Sequence, residues 1–449
     1  MGATRRGPSG SASVPVTEAT RALAAFHAQS YDKDVAPVET LFFGPGLGDA
    51  TLRAESGPRA PSTALAALRE VDAAGPALAG PWSPGARLAA ACVEAVRVRR
   101  LSPADRYPVH RAYPSPRGLF GADLFLVSEA GAEDRWCLRV DPRTHALRPW
   151  GASSVPDDLE TALAGARMVV AVDHRRYPPE YGRLRPSLAL LEGGHLAATL
   201  GLTLARAGLA PRTVFAPEGT PVPEGFAPCA VLTVGPAADG AVVIDPPSLI
   251  GVADVAARGA SGAGLRRWLD ERTSGVSSAN LVTSAYVSPD DGVEVTRALV
   301  AALAASVPAI PADTLRLDRI VLVEDRVDDR VAVELRPGGA PGPSRPVPRT
   351  GETNVSSSLG YTLSVDFAPW ARAFGDRAQT ALHPLLGWIA QWGCLAAAAT
   401  GLCARPMRNH TESEWAAVLG LDPGSTPAYQ LWVRAERGTY LDLPVDAAP

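Results

Sequence analysis

The sequence predicts an α+β fold made of two related units in one chain, and three observations carry that expectation. The first is a repeat: the stretch YPPEYGRLRPSLALLEGGHLAATLGLTLARAGL, residues 177–209, has a second copy 193 residues later. Tyr181, Gly182, Gly194, Ala197, Leu202, Ala205, Gly208 and Leu209 answer to Phe374, Gly375, Gly387, Ala390, Leu395, Ala398, Gly401 and Leu402. A constant offset across an aromatic-Gly pair and the helix that follows marks a duplicated unit, and two copies point to a fused pseudo-dimer. The second observation is that residues 196–209 and 387–402 carry almost no charge around the full helical turn, so each is expected to be buried at the centre of its unit. Gly and polar residues interrupt both runs, Gln391 lies inside the more apolar one, and no Lys or Arg belt flanks it; a core helix is favoured over a membrane span. The third is a set of short alternating stretches around each helix, which supply antiparallel strands.

Composition narrows the function classes. At 449 residues, 46% of them hydrophobic and 20% charged, the chain has the make-up of a globular protein with two or three sizeable cores. Its 43 basic and 47 acidic residues give a net charge of -4, which is no footprint for nucleic acid or an anionic membrane. Lys33 is the only lysine, so a phosphate loop with its lysine is excluded downstream, a Schiff-base enzyme is disfavoured, and arginine must carry any anion recognition. Five cysteines, with no CxxC and no Cys/His grouping at metal spacing, indicate neither a zinc site nor a disulfide framework. The first 16 residues have no apolar run of signal-peptide length, and the expectation is a reduced, cytoplasmic protein.

Along the chain, residues 1–18 read as a disordered tail, 19–248 as the first unit and 262–449 as the second. Helices are expected at 63–74 and, after the start signal at Ser83, at 86–98. The GPGLG of 44–48 lacks a strand–loop–helix setting and is read as a plain loop. A turn-rich YPSPRG leads to a strand at 119–127, where Ser115 and Gly118 could bring backbone N–H groups to a flat ligand or simply make a tight turn. Strands follow at 135–140, 168–173, 213–215 and 230–234. The second unit is expected to contain a helix at 291–305 with Ser288 as possible cap, strands at 319–323, 330–335 and 361–367, a Pro-rich loop at 336–351, a helix at 412–419 and a last strand at 429–433.

The order of these motifs resembles the flavin-dependent nitroreductase superfamily, and within it the SagB/McbC-type dehydrogenases. Those enzymes read PSAGALYP, KYG, GHxAQN and LGL in sequence; here the matching residues run from Ser115 through Tyr181-Gly182 and Gly194-His195 to Gly208-Leu209. The resemblance implies two nitroreductase-like units, each an antiparallel sheet flanked by helices, and FMN at their interface. It further implies oxidation of thiazolines or oxazolines to azoles in a ribosomally made precursor peptide, alongside cyclodehydratase partners.

Site residues carry over with departures. Arg272 and Ser274 match the family's R-x-S for the FMN phosphate, while Ser115 and Gly118 match the Pro-Ser turn, with Arg117 where the family has Gly. Because each motif occurs in only one half, one composite FMN site is implied. Arg405 and Arg408 follow the second Gly-Leu, and Arg434 and Arg437 fall where another phosphate-binding arginine is common; a solvated surface arginine is the alternative for all four. The family's Lys-Tyr pair is Glu180-Tyr181 here, so either Glu180 is the base or Tyr181 works with another partner. His195 keeps the family position, although a lone His on an apolar helix is more often a satisfied core residue. An NAD(P)H-dependent nitro or quinone reductase, or a silent scaffold for precursor peptide or cyclodehydratase, are the alternatives.

Overall fold

A helix with apolar residues on every side folds only if neighbours enclose it, and the two expected central helices enclose each other. In the computed structural model the described residues are 83–101, 109–128, 135–151, 156–220, 222–234, 240–244, 268–274, 287, 290–323, 330–335, 345–346, 359–408, 410–435 and 443–444. The expected tail at 1–18, the helix at 63–74, the GPGLG loop, Lys33, Ser288 and nearly all of the Pro-rich stretch 336–351 lie outside them.

The first half comprises α1 (Pro84–Val96), β1 (Val98–Leu101), β2 (Val109–Arg111), β3 (Ala122–Val127), β4 (Cys137–Asp141), β5 (Ala146–Pro149), α2 (Leu159–Ala164), β6 (Arg167–Val172), α3 (Leu184–Arg206), β7 (Pro211–Pro217), β8 (Ala227–Val234) and β9 (Gly240–Ile244). The second comprises α4 (Val293–Ser306), β10 (Leu315–Val323), β11 (Arg330–Leu335), β12 (Arg345–Pro346), β13 (Leu359–Asp366), α5 (Phe367–Phe374), α6 (Ala378–Ala399), β14 (Cys403–Met407), α7 (Glu412–Leu419), β15 (Ser425–Arg434) and β16 (Leu443–Pro444). Local signals set several ends. The Ser83 hydroxyl accepts from the Ala86 N–H at 3.2 Å and starts α1 ahead of Pro84. The strand expected from 119 begins only at Ala122, because Phe120 is held at φ 51°. The strand expected through 367 stops at Asp366, whose carboxylate accepts from the Ala368 N–H at 3.2 Å and opens α5 instead.

The sheets repeat one strand order. The first runs β5-β4-β3-β6-β8-β7 with β9 added at its edge, and the second runs β12-β11-β10-β13-β15-β14. Corresponding strands, taken in chain order, occupy corresponding places. The offset of 193 extends into the backbone: the Asp173 N–H donates to the Gly121 carbonyl at 3.0 Å, and the Asp366 N–H donates to the Thr314 carbonyl at 3.0 Å. Ala122 pairs with Val172 as Leu315 pairs with Val365. Gly182 (φ 48°, ψ -126°) and Gly375 (φ 57°, ψ -129°) share a conformation that side chains strongly disfavour.

Helices α3 and α6 cross at their glycines. A Cβ on Gly194 would overlap the Pro384 carbonyl, and one on Gly387 would overlap the Leu191 carbonyl. Since Leu191 and Pro384 are also 193 apart, this is a two-fold contact between the halves. Helix α3 is the one described helix long and apolar enough to cross a membrane, and it lies buried in this core. A small third sheet, β16-β1-β2, joins the last described strand to the first.

Polar groups inside this interface are paired across it. Gln391 on α6 donates to Thr199 Oγ1 at 3.0 Å and to the Ala112 carbonyl at 2.9 Å, leaving its own oxygen to accept from His195 Nδ1 at 3.0 Å. His195 Nε2 is thereby the unprotonated nitrogen and accepts from the Tyr429 hydroxyl at 2.9 Å. Burial pushes His195 down to about 3, and burial likewise holds His383 at about 3.

Two expectations follow. Gly194→Ala or Gly387→Ala should destabilise by about 1–3 kcal/mol or more through overpacking against backbone, whereas Gly201→Ala, whose new methyl meets only a Leu232 methyl at 3.9 Å, should be neutral or stabilising by about 0.5–1 kcal/mol; chemical unfolding decides between them. The buried imidazoles stay neutral while unfolded ones titrate near 6.5, so stability should be full above that pH and fall as pH drops from 6.5 toward about 3. The slope is at most about 1.4 kcal/mol per pH unit for each histidine. Thermal melts of the parent and His195→Gln across pH 7 to about 4 should show a shallower fall in the variant.

Candidate active site

Arg272 is fixed by the first half of the chain although it lies in the second. The segment 268–274 rests against α1 and β1, where Arg99 Nη1 contacts Glu94 at 2.7 Å and Asp270 at 2.8 Å, and Arg97 contacts Glu94 at 2.8 Å. Burial alone would raise the Glu94 carboxyl, but Arg99 and Arg97 bring it down to about 2, so this carboxylate stays ionised at neutral pH. The Ala404 N–H donates to the Thr273 carbonyl at 3.1 Å and ties the segment to β14.

Arg272 is 4% exposed. It donates to the Arg111 carbonyl through Nε at 3.3 Å and Nη2 at 3.2 Å, and through Nη1 to the Ser274 hydroxyl at 3.2 Å. No carboxylate among the described residues pairs with it, and burial pushes it down to about 10. A buried cation answered only by a carbonyl and a hydroxyl is unfavourable by several kcal/mol unless an anion joins it. The sequence brings one arginine and one serine here, and the donors fit a phosphate. Arg408 and Arg434, open as surface arginines from sequence, are both buried, whereas Arg405 is half-buried. Charge from Arg408 is felt at Tyr429 and His383, and that of Arg272 at His195 and Cys394, which places both cations around the His195 network. Arg437 lies outside the described residues.

The Pro-Ser turn stands on the other side of Arg111. Arg117 (φ 51°), Gly118 (φ 64°) and Phe120 (φ 51°) all have left-handed backbone, a strained run typical of functional loops. Ser115 Oγ accepts from the Phe120 N–H at 2.8 Å and closes the turn. Arg111 stacks on the Phe120 ring at 4.2 Å and donates to the Tyr113 hydroxyl at 2.8 Å, so one residue touches both the turn and Arg272. Tyr181, half-buried, lies under the Arg117 guanidinium at 4.9 Å. Glu180, in the same short 3-10 turn (Pro179–Tyr181), is exposed. The structure thus joins Ser115, Arg117, Gly118 and Tyr181, and joins Arg272 with Ser274, the two groups being linked through Arg111.

Sequence reasoning missed Glu192. This carboxylate is 1% exposed, accepts the Tyr177 hydroxyl at 2.7 Å and the Ala122 N–H at 2.9 Å, and is raised by burial. A signal was available: Glu192 is the lone charge between Leu188 and Ala205. The five cysteines are free, and no His, Cys, Asp and Glu grouping able to hold a metal occurs among the described residues.

No family model matches the chain, and no curated protein sequence matches it significantly. Among solved structures it is similar to a protein assigned as a nitroreductase from Anabaena variabilis, at 14% identity and a TM-score of 0.62, covering 93% of this chain and 99% of that one. A protein assigned as a nitroreductase from Ralstonia eutropha aligns at 13% identity and a TM-score of 0.30, over 39% of this chain and 83% of that one. The E. coli microcin synthetase McbBCD complex with truncated pro-MccB17 bound aligns at 16% identity and a TM-score of 0.25, over 49% of this chain and 94% of that one. At 14% identity over nearly the full length of both proteins, the first likeness is one of architecture: this chain has the nitroreductase fold.

Proposed function

We propose that the chain is an FMN-dependent dehydrogenase that oxidises thiazolines or oxazolines in a precursor peptide to azoles, with residues 19–248 and 262–449 as its two units. The observation that carries the reading is the buried Arg272, hydrogen-bonded to Ser274 and lacking a carboxylate among the described residues. It is what an R-x-S phosphate site requires. Arg408 and Arg434 are the further cations for the same anion, and the Ser115–Gly118 turn borders the ring. A single site fits the asymmetry between the halves: the positions 193 beyond His195 and Thr199 are Trp388 and Trp392, both buried. Indole side chains there leave no counterpart to the polar network around Arg272.

When bound, FMN would supply the two-electron redox chemistry that no side chain of this protein offers. The chain's own residues hold the phosphate, keep His195 neutral and place a hydroxyl, that of Tyr181, beside the Pro-Ser turn. Tyr181 is the residue proposed to handle the substrate proton, with exposed Glu180 next to it as the carboxylate able to receive it. Cyclodehydratase proteins of the same pathway are the proposed partners, and the cytoplasm the proposed location.

The purified protein should be yellow and release about one FMN per chain on denaturation, a stoichiometry that follows from one composite phosphate site. Two equivalents, or none after supplementation, would contradict the division of roles. Arg272→Ala should weaken FMN binding by roughly ten- to a hundredfold; full flavin after extensive dialysis would place the phosphate elsewhere. Tyr181→Phe should keep its flavin, yet slow anaerobic single-turnover bleaching by an azoline peptide roughly a hundredfold. Glu180→Gln should match it only if the carboxylate serves as base, and unchanged bleaching in Tyr181→Phe would leave that tyrosine a packing residue.

A further inference from the structure

The second half of the chain serves as an internal control for what the fold needs. At the position 193 beyond Glu192 stands Leu385, fully buried, and beyond Tyr177 stands Trp370, also fully buried. Both helices nevertheless form, cross at the paired glycines and support the same strand order. A carboxylate at this place is therefore dispensable for the architecture, and burying one costs free energy that a leucine does not. Something particular to the first half must account for it.

What differs is the segment before the sheet. The left-handed residue next to the strand is common to both halves, as Phe120 (φ 51°) and Asp313 (φ 55°). Left-handed Arg117 and Gly118 have no such counterparts among the described residues of the second half. Both hydrogen bonds of the Glu192 carboxylate lead to this region, to the Ala122 N–H at 2.9 Å and the Tyr177 hydroxyl at 2.7 Å, and the Ser115 hydroxyl stands close enough to offset part of the upward push of burial on its carboxyl. Tyr177 in turn packs against Gly121, where a Cβ would fall 2.9 Å from the ring's Cζ and from its hydroxyl.

We propose that Glu192 is a positioning residue that holds the Ser115–Gly118 turn in its strained shape and so shapes the edge of the cofactor site. The proposal rests on the reading that this turn borders FMN. Ser115 closes the turn by accepting the Phe120 N–H at 2.8 Å, and Glu192 grips the two residues that follow, Gly121 through the Tyr177 ring and Ala122 through its N–H. Cutting that grip frees residues 116–120 without opening the core.

The test compares Glu192→Leu, which copies the other half, with Glu192→Gln, which keeps an acceptor oxygen. Two properties are measured: trypsin cleavage after the exposed Arg117 in the protein freed of cofactor, and the FMN dissociation constant by fluorescence quenching. Glu192→Leu, which leaves the buried Tyr177 hydroxyl and Ala122 N–H without that acceptor, should melt below the parent yet stay folded, be cleaved at Arg117 about tenfold faster or more, and bind FMN about tenfold more weakly or more; Glu192→Gln should recover part of each loss. Parental cleavage in Glu192→Leu, or faster cleavage with unchanged FMN affinity, overturns the proposal. If Glu192→Leu does not fold, the fold itself needs the carboxylate and the proposal also fails, unless Glu192→Gln folds and shows the local cleavage and weakened binding. A parent protein that takes up no FMN sinks the cofactor reading instead, whatever the cleavage pattern.

Discussion

The close crossing of α3 and α6 is the constraint on which the rest of the molecule depends. Each helix presents a glycine to a backbone carbonyl of the other, and the two contacts are related by the same 193-residue step that relates the sequences. Backbones that approach this closely leave no room for a methyl group, so the residue type is dictated at both positions. The crossing also sets the geometry of everything outside it. Each sheet packs on its own central helix, α6 also touching β7 and β8 of the first sheet, and segment 268–274 lies against α1 of the opposite half. The Arg272 guanidinium thereby reaches the carbonyl of Arg111, at the end of β2.

Symmetry in the backbone makes the asymmetry of the side chains informative. Glu192, His195, Thr199 and Tyr181 of the first half correspond to Leu385, Trp388, Trp392 and Phe374 of the second. Ala198 corresponds to Gln391, which donates back across the interface to Thr199. Around His195 the first half thus supplies most of the polar groups where the second has aromatic or aliphatic ones, although α6 buries Gln379 and His383 at places answering to Pro186 and Leu190. A core needing only stability has no reason for that division, since buried polar groups are tolerated only when paired and rarely add stability over apolar ones. A site confined to one side does.

Much of the fold was legible because the repeat and the charge-free helices are long-range and periodic signals. The helix at 412–419 agrees with its expected bounds, while α3 and α6 begin well before the stretches read as apolar. Their first two turns carry Arg185 in one case and Gln379 and His383 in the other, which breaks the apolar pattern although Gln379 and His383 are enclosed. The strands β1, β2 and β14 were missed for a different reason. They are short, each contains arginine, and their place is decided by partners distant in sequence, as β1 is by β16. At the site, the Pro-Ser turn and Tyr181 were legible as motifs. The burial of Arg408 and Arg434 was not, because a charged residue reads as surface until its surroundings are known.

The electrostatics of the Arg272 region give the asymmetry a direction. His195 and His383 are driven neutral by burial, and the nearby thiol of Cys394 is pushed up to about 12, so neither supplies charge of either sign at neutral pH. Glu94 and Asp270 are engaged by Arg97 and Arg99. Arg272 is left with neutral acceptors, and burial lowers its affinity for its proton to about 10 without removing the charge at pH 7. A fold that encloses a guanidinium in this way gives up stability until an anion arrives, and any ligand binding only the folded chain returns stability as RT ln(1 + [L]/Kd). Under the proposed reading, stability and occupancy by an anion would be coupled through this one residue, whose place is set by its contacts with Arg111 and Ser274.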